Sequence, residues 1–306
     1  MNEAWTIYDE IRELHDGEEF KAALVKIGAT REQTHEIWDF IAGLEASCFS
    51  RQGDLKEGVG ILESAVAGGS ENYWIYNQLA ATYRVLGMKP EMLEALWRSH
   101  ELRGWPESRK NKYIFTHDFF SANIESWSRW FGQHMTKAPI NLAEIGSWQG
   151  GSTTWLLDKI IAPRGGMLTS IDTFEGSSEH AGYIDNLGDT LENLFDRNIE
   201  ATGHSKLNRK IVGKSQQILR NLWGEHFDFI YIDGAHEAKF VLQDAILSWG
   251  LIEAGGFLLF DDVDFHFEDN PVQDTHHAID IFTRFFQDEL RIVETGRQML
   301  VQKLVS

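Results

Sequence analysis

Apolar residues recur every three to four positions through the first hundred residues, as in Ile37, Phe40, Ile41 and Leu44. That is the spacing of an amphipathic helix. No alternating pattern interrupts it, so this stretch reads as helix after helix. A later stripe, Phe120, Ile124, Trp127, Trp130 and Phe131, predicts a helix over 117–135 with its aromatics facing a core. From Ile140 the pattern changes. Short apolar runs at 140–146, 167–173, 209–213, 227–233 and 256–262 alternate with helical stretches such as 152–161 and 239–251. Such alternation predicts a parallel sheet covered on both faces. The last two runs, 290–295 and 298–304, are split only by Gly296-Arg297. A gap that short demands a hairpin, so one final strand runs antiparallel. The expected fold is α/β, a seven-stranded sheet preceded by an all-α region.

The helical stretch carries a repeat. Gly17-Glu18-Glu19-Phe20, Gly53-Asp54-Leu55 and Gly87-Met88-Lys89 each follow one helical pattern and precede another, with the glycines 36 and 34 residues apart. Glycine lets the chain turn at a helix end, and a small residue such as Ala80 lets the next helix approach. Together with Asn77, Leu79, Tyr83, Ala95 and Pro106, this spacing resembles about three tetratricopeptide repeats over 1–105. A plain helical bundle is the alternative. The polar segment from Arg103 to Lys112 marks the junction. The expected organisation is 1–105 helical repeats, 106–138 linker and lead-in helix, and 139–306 the sheet domain.

Composition narrows the class. The chain has 28 Lys+Arg against 47 Asp+Glu, a formal charge of −19, which argues against a general binder of nucleic acid or anionic membranes. The single cysteine, Cys48, excludes a disulfide framework and a thiolate metal cluster. No apolar run approaches the ~18 residues of a membrane span, and the first residues lack the basic and apolar regions of a signal peptide. A cytoplasmic protein is the expectation.

Ligands of open α/β sheets bind beyond the carboxyl ends of the strands, and four such ends carry chemistry here. The first strand runs through Glu144 into the turn Gly146-Ser147-Trp148-Gln149-Gly150-Gly151-Ser152. Missing side chains there let a ligand lie against the backbone. The spacing differs from the pyrophosphate-binding Gly-x-Gly-x-x-Gly, and Glu144 suits a cationic ligand instead. A tight turn with no ligand is the alternative. Asp172, with Thr173 after it, stands about 20 residues past that turn, where an acid can accept ribose hydroxyls. The segment Gly213-Lys214-Ser215 lacks the earlier glycine of a phosphate loop, since residue 208 is Asn208. Ser215 either lines an adenine edge or caps a helix.

The remaining two ends are acidic. One strand closes in Asp233-Gly234-Ala235-His236 and the next in Asp261-Asp262. Acids from neighbouring strand ends concentrate negative charge, which costs energy unless protons or a cation neutralise it. Hard oxygen ligands favour Mg²⁺, with Ca²⁺ or Mn²⁺ as substitutes. An imidazole titrates near neutral pH, so His236 at the mouth suits a base. Capping acids and a surface histidine are the alternative. His276-His277 reads as a solvated face, because consecutive helical residues point in different directions.

These motifs over residues 110–304 resemble the class I S-adenosylmethionine-dependent methyltransferases. More narrowly, they resemble the metal-dependent O-methyltransferases of macrolide and aminocoumarin sugars. The resemblance implies a Rossmann-like sheet with a C-terminal hairpin, S-adenosylmethionine and Mg²⁺ as cofactors, and methyl transfer to a hydroxyl of a sugar or other small natural product. It implies that Asp233, Asp261 and Asp262 hold the metal. Glu144, Gly146 and Asp172 would contact the cofactor, with Ser147, Gly150, Ser152, Thr173, Ser215 and Asp233 lining its site. His236 or Asp233 is the base. The loop bearing Glu175 and His180 is expected to overhang the substrate. The helical front departs from the sugar enzymes, so a protein partner and homo-oligomerisation stay open. Two other classes stay open as well: a repeat scaffold with a non-catalytic cofactor domain, and a hydroxylase-like metal enzyme.

Overall fold

In the computed structural model of the chain, which describes residues 2–176 and 189–305, two compact units meet between Ile124 and Glu125. That boundary falls inside the segment 106–138. The first unit is all-helical: α1 (Glu3–Asp16), α2 (Phe20–Thr30), α3 (Trp38–Arg51), α4 (Leu55–Ala67), α5 (Tyr73–Val85), α6 (Lys89–Leu102) and the short α7 (Glu107–Lys110). Each long helix packs on its neighbour in sequence.

The three turns between helix pairs are not equivalent. Gly53 and Gly87 take left-handed φ of +88° and +74°, whereas Gly17 does not, and Glu18 carries the left-handed angle at +61°. The same pattern of amide-to-carbonyl bonds closes all three turns. The first therefore places a side chain where the other two have none.

The helix expected over 117–135 is shorter. A 3₁₀ turn at Ser121–Asn123 leads into α8 (Ile124–Gln133). The cause is local: the Asp118 carboxylate accepts from the Ser121 amide at 2.8 Å and from its hydroxyl. This is the capping geometry that starts a helix rather than continues one. In the second unit Trp127, Trp130 and Phe131 are buried as the stripe predicted.

The second unit is a seven-stranded Rossmann-like sheet. Its strands are β1 (Ile140–Ile145), β2 (Gly166–Asp172), β3 (Asn208–Val212), β4 (Phe227–Ile232), β5 (Ile252–Phe260), β6 (Leu290–Thr295) and β7 (Met299–Lys303). They lie in the order β3-β2-β1-β4-β5-β7-β6. Strands β1 to β5 pair in parallel. Strand β7 is antiparallel to both β5 and β6.

The central strands are apolar on both faces because both are covered. Ile145, Ile230, Ile232 and Phe260 pack with Val241, Ala245 and Trp249, the last three belonging to a helix over Ala238–Trp249. Trp127, Phe131 and Trp155 pack on one another with ring centroids 5.9–6.3 Å apart, while Trp127 reaches Phe229 and Tyr231, and Phe131 reaches Phe229, at 4.8–6.0 Å. Further helices among the described residues include α9 (Gly151–Leu156), which runs on into a π turn at Leu157–Ile161 and a last short turn at Ala162–Arg164, then α10 (Leu191–Ala201), α11 (Ser215–Asn221), α12 (Ala238–Trp249) and α13 (Thr275–Phe285).

The hairpin turn is longer than the two residues expected. Strand β7 begins at Met299, leaving Gln298 in the turn. Gln298 is only 5% exposed, and its amide is drawn inward to Asp261 and Trp127, which removes it from the strand. Among the described residues, no helix is long and apolar enough to cross a membrane.

Candidate functional site

The carboxyl ends of β1, β2, β4 and β5 are adjacent in the sheet, so their terminal residues gather along one edge. On β1, Glu144 is fully buried. Its carboxylate accepts hydrogen bonds from Ser147 Oγ at 3.0 Å, Thr153 Oγ1 at 2.5 Å and Ser152 Oγ. Burial pushes Glu144 up to about 7, with the three hydroxyls pulling the other way. The carboxylate ties the strand to the turn and to α9. Glu144, Ser147 and Ser152, all expected to face a cofactor, are thus bonded to one another.

Gly146 answers to a backbone neighbour. Its φ is +87°, and a Cβ there would stand 1.9 Å from the carbonyl oxygen of Asp233. The glycine is needed because β4 crosses close behind the turn. Gly150 begins α9 in the left-handed region.

The Asp172 carboxylate faces this same turn. Its Oδ2 accepts from the amides of Ser147 at 2.7 Å and Trp148 at 2.9 Å, and its Oδ1 from the amide of Phe174 at 2.7 Å. Thr173 is half-buried, and its Oγ1 accepts from the exposed Glu175 amide at 3.3 Å. His180 lies outside the described residues. Ser215 does not cap its helix: Lys214 occupies the cap position. The Ser215 hydroxyl instead donates to Asp244 Oδ2 at 3.0 Å.

The ends of β4 and β5 bring acids face to face. Ligand-type atoms of Asp233, His236 and Asp262 all lie within 4.8 Å of one another. His236 Nε2 is 3.4 Å from Asp262 Oδ2 and 3.9 Å from Asp233 Oδ1, and its ring packs on Phe265 with centroids 4.5 Å apart. Asp262 has φ +45°, an uncommon conformation that aspartate tolerates better than most residues. Asp261 stands behind this group. Its Oδ1 accepts from the Asp262 amide at 2.8 Å. Its Oδ2 accepts from Gln298 Nε2 at 2.9 Å and from the Tyr231 hydroxyl.

Sequence reading missed two partners of these acids. The Tyr231 hydroxyl also lies 2.8 Å from Asp233 Oδ2, which places it between two carboxylates. It sits two residues before Asp233, on the same face by the period of a strand, and that spacing was the available signal. Gln298 bridges Asp261 to Trp127, whose Nε1 donates to Gln298 Oε1 at 2.9 Å.

Electrostatics records the crowding. Burial and then the charge of Asp261 raise Asp233 to about 7, with the His236 contact opposing. Burial and Asp262 raise Asp261, and burial with both acids lifts Tyr231 well above the ordinary phenol range. Arg297 offers a positive group 3.3 Å from Asp262 Oδ1. Such an arrangement favours uptake of a proton or a cation.

Residues 143–263 match the family model described as a methyltransferase domain. The chain carries a methyltransferase domain. The match runs from the residue before Glu144 to the residue after Asp262, so it contains all four strand ends. Among the solved structures similar to the chain are two O-methyltransferases. An O-methyltransferase from Bacillus cereus in complex with SAH is 20% identical over 66% of this chain and 90% of its own, with a TM-score of 0.45. The O-methyltransferase TomG from Streptomyces achromogenes, involved in tomaymycin synthesis and solved with SAM, is 16% identical over 65% and 86%, with a TM-score of 0.45. No curated protein matches the chain.

Proposed function

We propose that the methyltransferase domain is an S-adenosylmethionine-dependent O-methyltransferase that uses Mg²⁺ and acts on a hydroxyl of a sugar or another small natural product. The observation that carries this reading is the meeting of Asp233, His236 and Asp262 inside a segment that matches a methyltransferase domain.

The donor chemistry fits the cation. Asp233 and Asp262 offer hard oxygen atoms with no thiolate beside them, and the raised Asp233 marks a place where positive charge is favoured. Asp233 and Asp262 would hold Mg²⁺, with Asp261 behind them. Bound there, the ion would lower the pKa of the acceptor hydroxyl as a Lewis acid. His236 Nε2 takes the hydroxyl proton, held in place by Phe265 and by the two carboxylates. Tyr231 and Gln298 fix the Asp261 carboxylate and, through the Asp262 amide, the left-handed turn that aims Asp262.

The turn at 146–150 and Asp172 fit the methyl donor. A carboxylate has about four lone-pair directions, and the amides of Ser147, Trp148 and Phe174 occupy three of those on Asp172, which leaves one toward a ribose hydroxyl. Glu144, Ser147 and Ser152 act by holding the turn in shape. Holding donor and acceptor together is worth up to about 7–11 kcal/mol in favourable cases.

Calorimetric titration of S-adenosylmethionine, with and without Mg²⁺, tests the reading together with a methyl-transfer assay over candidate acceptors. Binding of the donor and turnover that stops in chelator are expected. Absence of donor binding, or full turnover in chelator, overturns the reading or its metal part respectively.

A further inference from the structure

A second group of metal-ligating side chains meets at the start of α13, outside the acidic crevice. Ligand-type atoms of Asp274, His276 and His277 all lie within 4.8 Å of one another. The two histidine rings are 4.0 Å apart between centroids. Neighbouring residues of a helix ordinarily diverge, yet here the two rings meet on a face where His276 is half-buried and His277 exposed. Asp274 is 5% exposed and occupies the cap position of α13, yet its side chain makes no capping bond. An aspartate at that position ordinarily accepts from the amides of the first turn. This one turns toward the preceding loop, where Oδ1 accepts from the Phe267 amide at 2.9 Å and Oδ2 lies 2.6 Å from His266 Nδ1.

We propose that Asp274, His276 and His277 form a second cation site, one that takes a borderline divalent transition ion such as Zn²⁺. Two imidazoles and one carboxylate suit such ions better than Mg²⁺, which prefers oxygen. Three protein ligands leave a position for water. His266 acts as a positioning residue: its Nδ1–H holds the ligating carboxylate, the kind of support that metal ligands ordinarily receive.

The site bears on the crevice through Thr275. The Thr275 hydroxyl donates to the His236 carbonyl at 2.8 Å, and its amide to the Phe265 carbonyl at 3.2 Å. An ion at Asp274 therefore braces the segment that carries both the ring packed on His236 and the bond to its backbone.

The test uses the full chain and Zn²⁺ alone as the probe, in an Asp262→Asn background that removes a crevice donor. One Zn²⁺ site is expected by calorimetry, with a rise in melting temperature as Zn²⁺ is added. Adding His276→Ala and His277→Ala weakens binding at least 100-fold and abolishes the rise. His266→Ala weakens it about tenfold, and His266→Gln, which keeps an N–H donor, restores part of that loss. If the double variant fails to fold, as judged by circular dichroism, the exposed His277→Ala carries the same test with a loss of about tenfold. No Zn²⁺ site in the Asp262→Asn chain, or undiminished binding once the α13 histidines are removed, overturns the proposal.

Discussion

At the end of β1, Glu144 is surrounded by three hydroxyls that donate to it. At the ends of β4 and β5, Asp233 and Asp261 share a single tyrosine hydroxyl, and Asp262 adds a third negative group. Both places hold buried carboxylates raised above their ordinary range. They differ in what surrounds the charge. Hydroxyls donate to Glu144 from three sides, and through them it holds the turn. The β4–β5 acids are each other's neighbours, and a group in that position gains when something positive arrives. Burial of an acid alone does not mark a reactive site; the identity of its neighbours does.

The two places touch at Gly146, so the largest expected effect comes there. Gly146→Ala drives a Cβ against the Asp233 carbonyl and strains a left-handed backbone. A loss of more than about 4 kcal/mol is expected, in the range reserved for severe packing and backbone conflicts. Urea unfolding measures it. A loss under about 1 kcal/mol would mean that β4 can withdraw, and that the two ends are less tightly joined than the distances say.

Asp262→Asn separates the two kinds of acid. Methyl transfer should fall about 100-fold or more, while stability stays within about 1 kcal/mol of the parent, because a like charge beside Asp261 is removed. A parallel drop in stability and rate would place Asp262 with Glu144, as an acid that holds structure.

The pH dependence sharpens the same contrast. Glu144 ordinarily titrates near 4.5 and in the fold near 7, so the folded state holds the proton more tightly. Its contribution to stability is fully present below about 4.5 and is lost as pH rises through 7. Asp233 acts with the same sign over a similar window. Glu144→Gln should remove the Glu144 part, at most about 3 kcal/mol between pH 4 and 8, and flatten the decline without abolishing it. Added Mg²⁺ should remove only the Asp233 part. An unchanged slope of urea midpoint against pH in Glu144→Gln would mean that the acid is ionised in the fold throughout.

What the sequence made legible follows the same division. Parallel strands buried on both faces read as apolar runs, so all seven strands and the hairpin were visible, and so were the acids that end them. Asp233, His236 and Asp262 were found because their chemistry is written at strand ends. The partners of Glu144 were visible as residues, but not as its partners, since only the fold brings Ser147, Ser152 and Thr153 around it. Tyr231 lies inside the apolar run 227–233, where only its spacing from Asp233 marked it. Gln298 was hidden by one residue of hairpin length, because nothing local distinguishes a strand's first glutamine from a turn's last. The histidines of α13 read as a solvated face, and His277 is exposed; the meeting of their rings beside Asp274 was not legible for a similar reason, since Asp274 and His266 belong to the preceding loop.

The smallest effect is expected at Ser215, where the sequence left two roles open and the structure adds a third. Its hydroxyl donates to Asp244, which is 1% exposed and which burial raises to about 7. Gln216 Nε2 supplies the other bond, to Asp244 Oδ1 at 3.0 Å. Ser215→Ala leaves Asp244 with one donor fewer, so a loss of about 1 kcal/mol is expected. Under the proposed function, affinity for S-adenosylmethionine should then change less than twofold, since a hydroxyl that already faces Asp244 serves α11 and α12 rather than a ligand. Unfolding and donor titration on the same sample decide the matter. A tenfold weaker donor affinity with stability unchanged would return Ser215 to the adenine edge, and would extend the ligand-facing chemistry from the β4–β5 acids across to the end of β3.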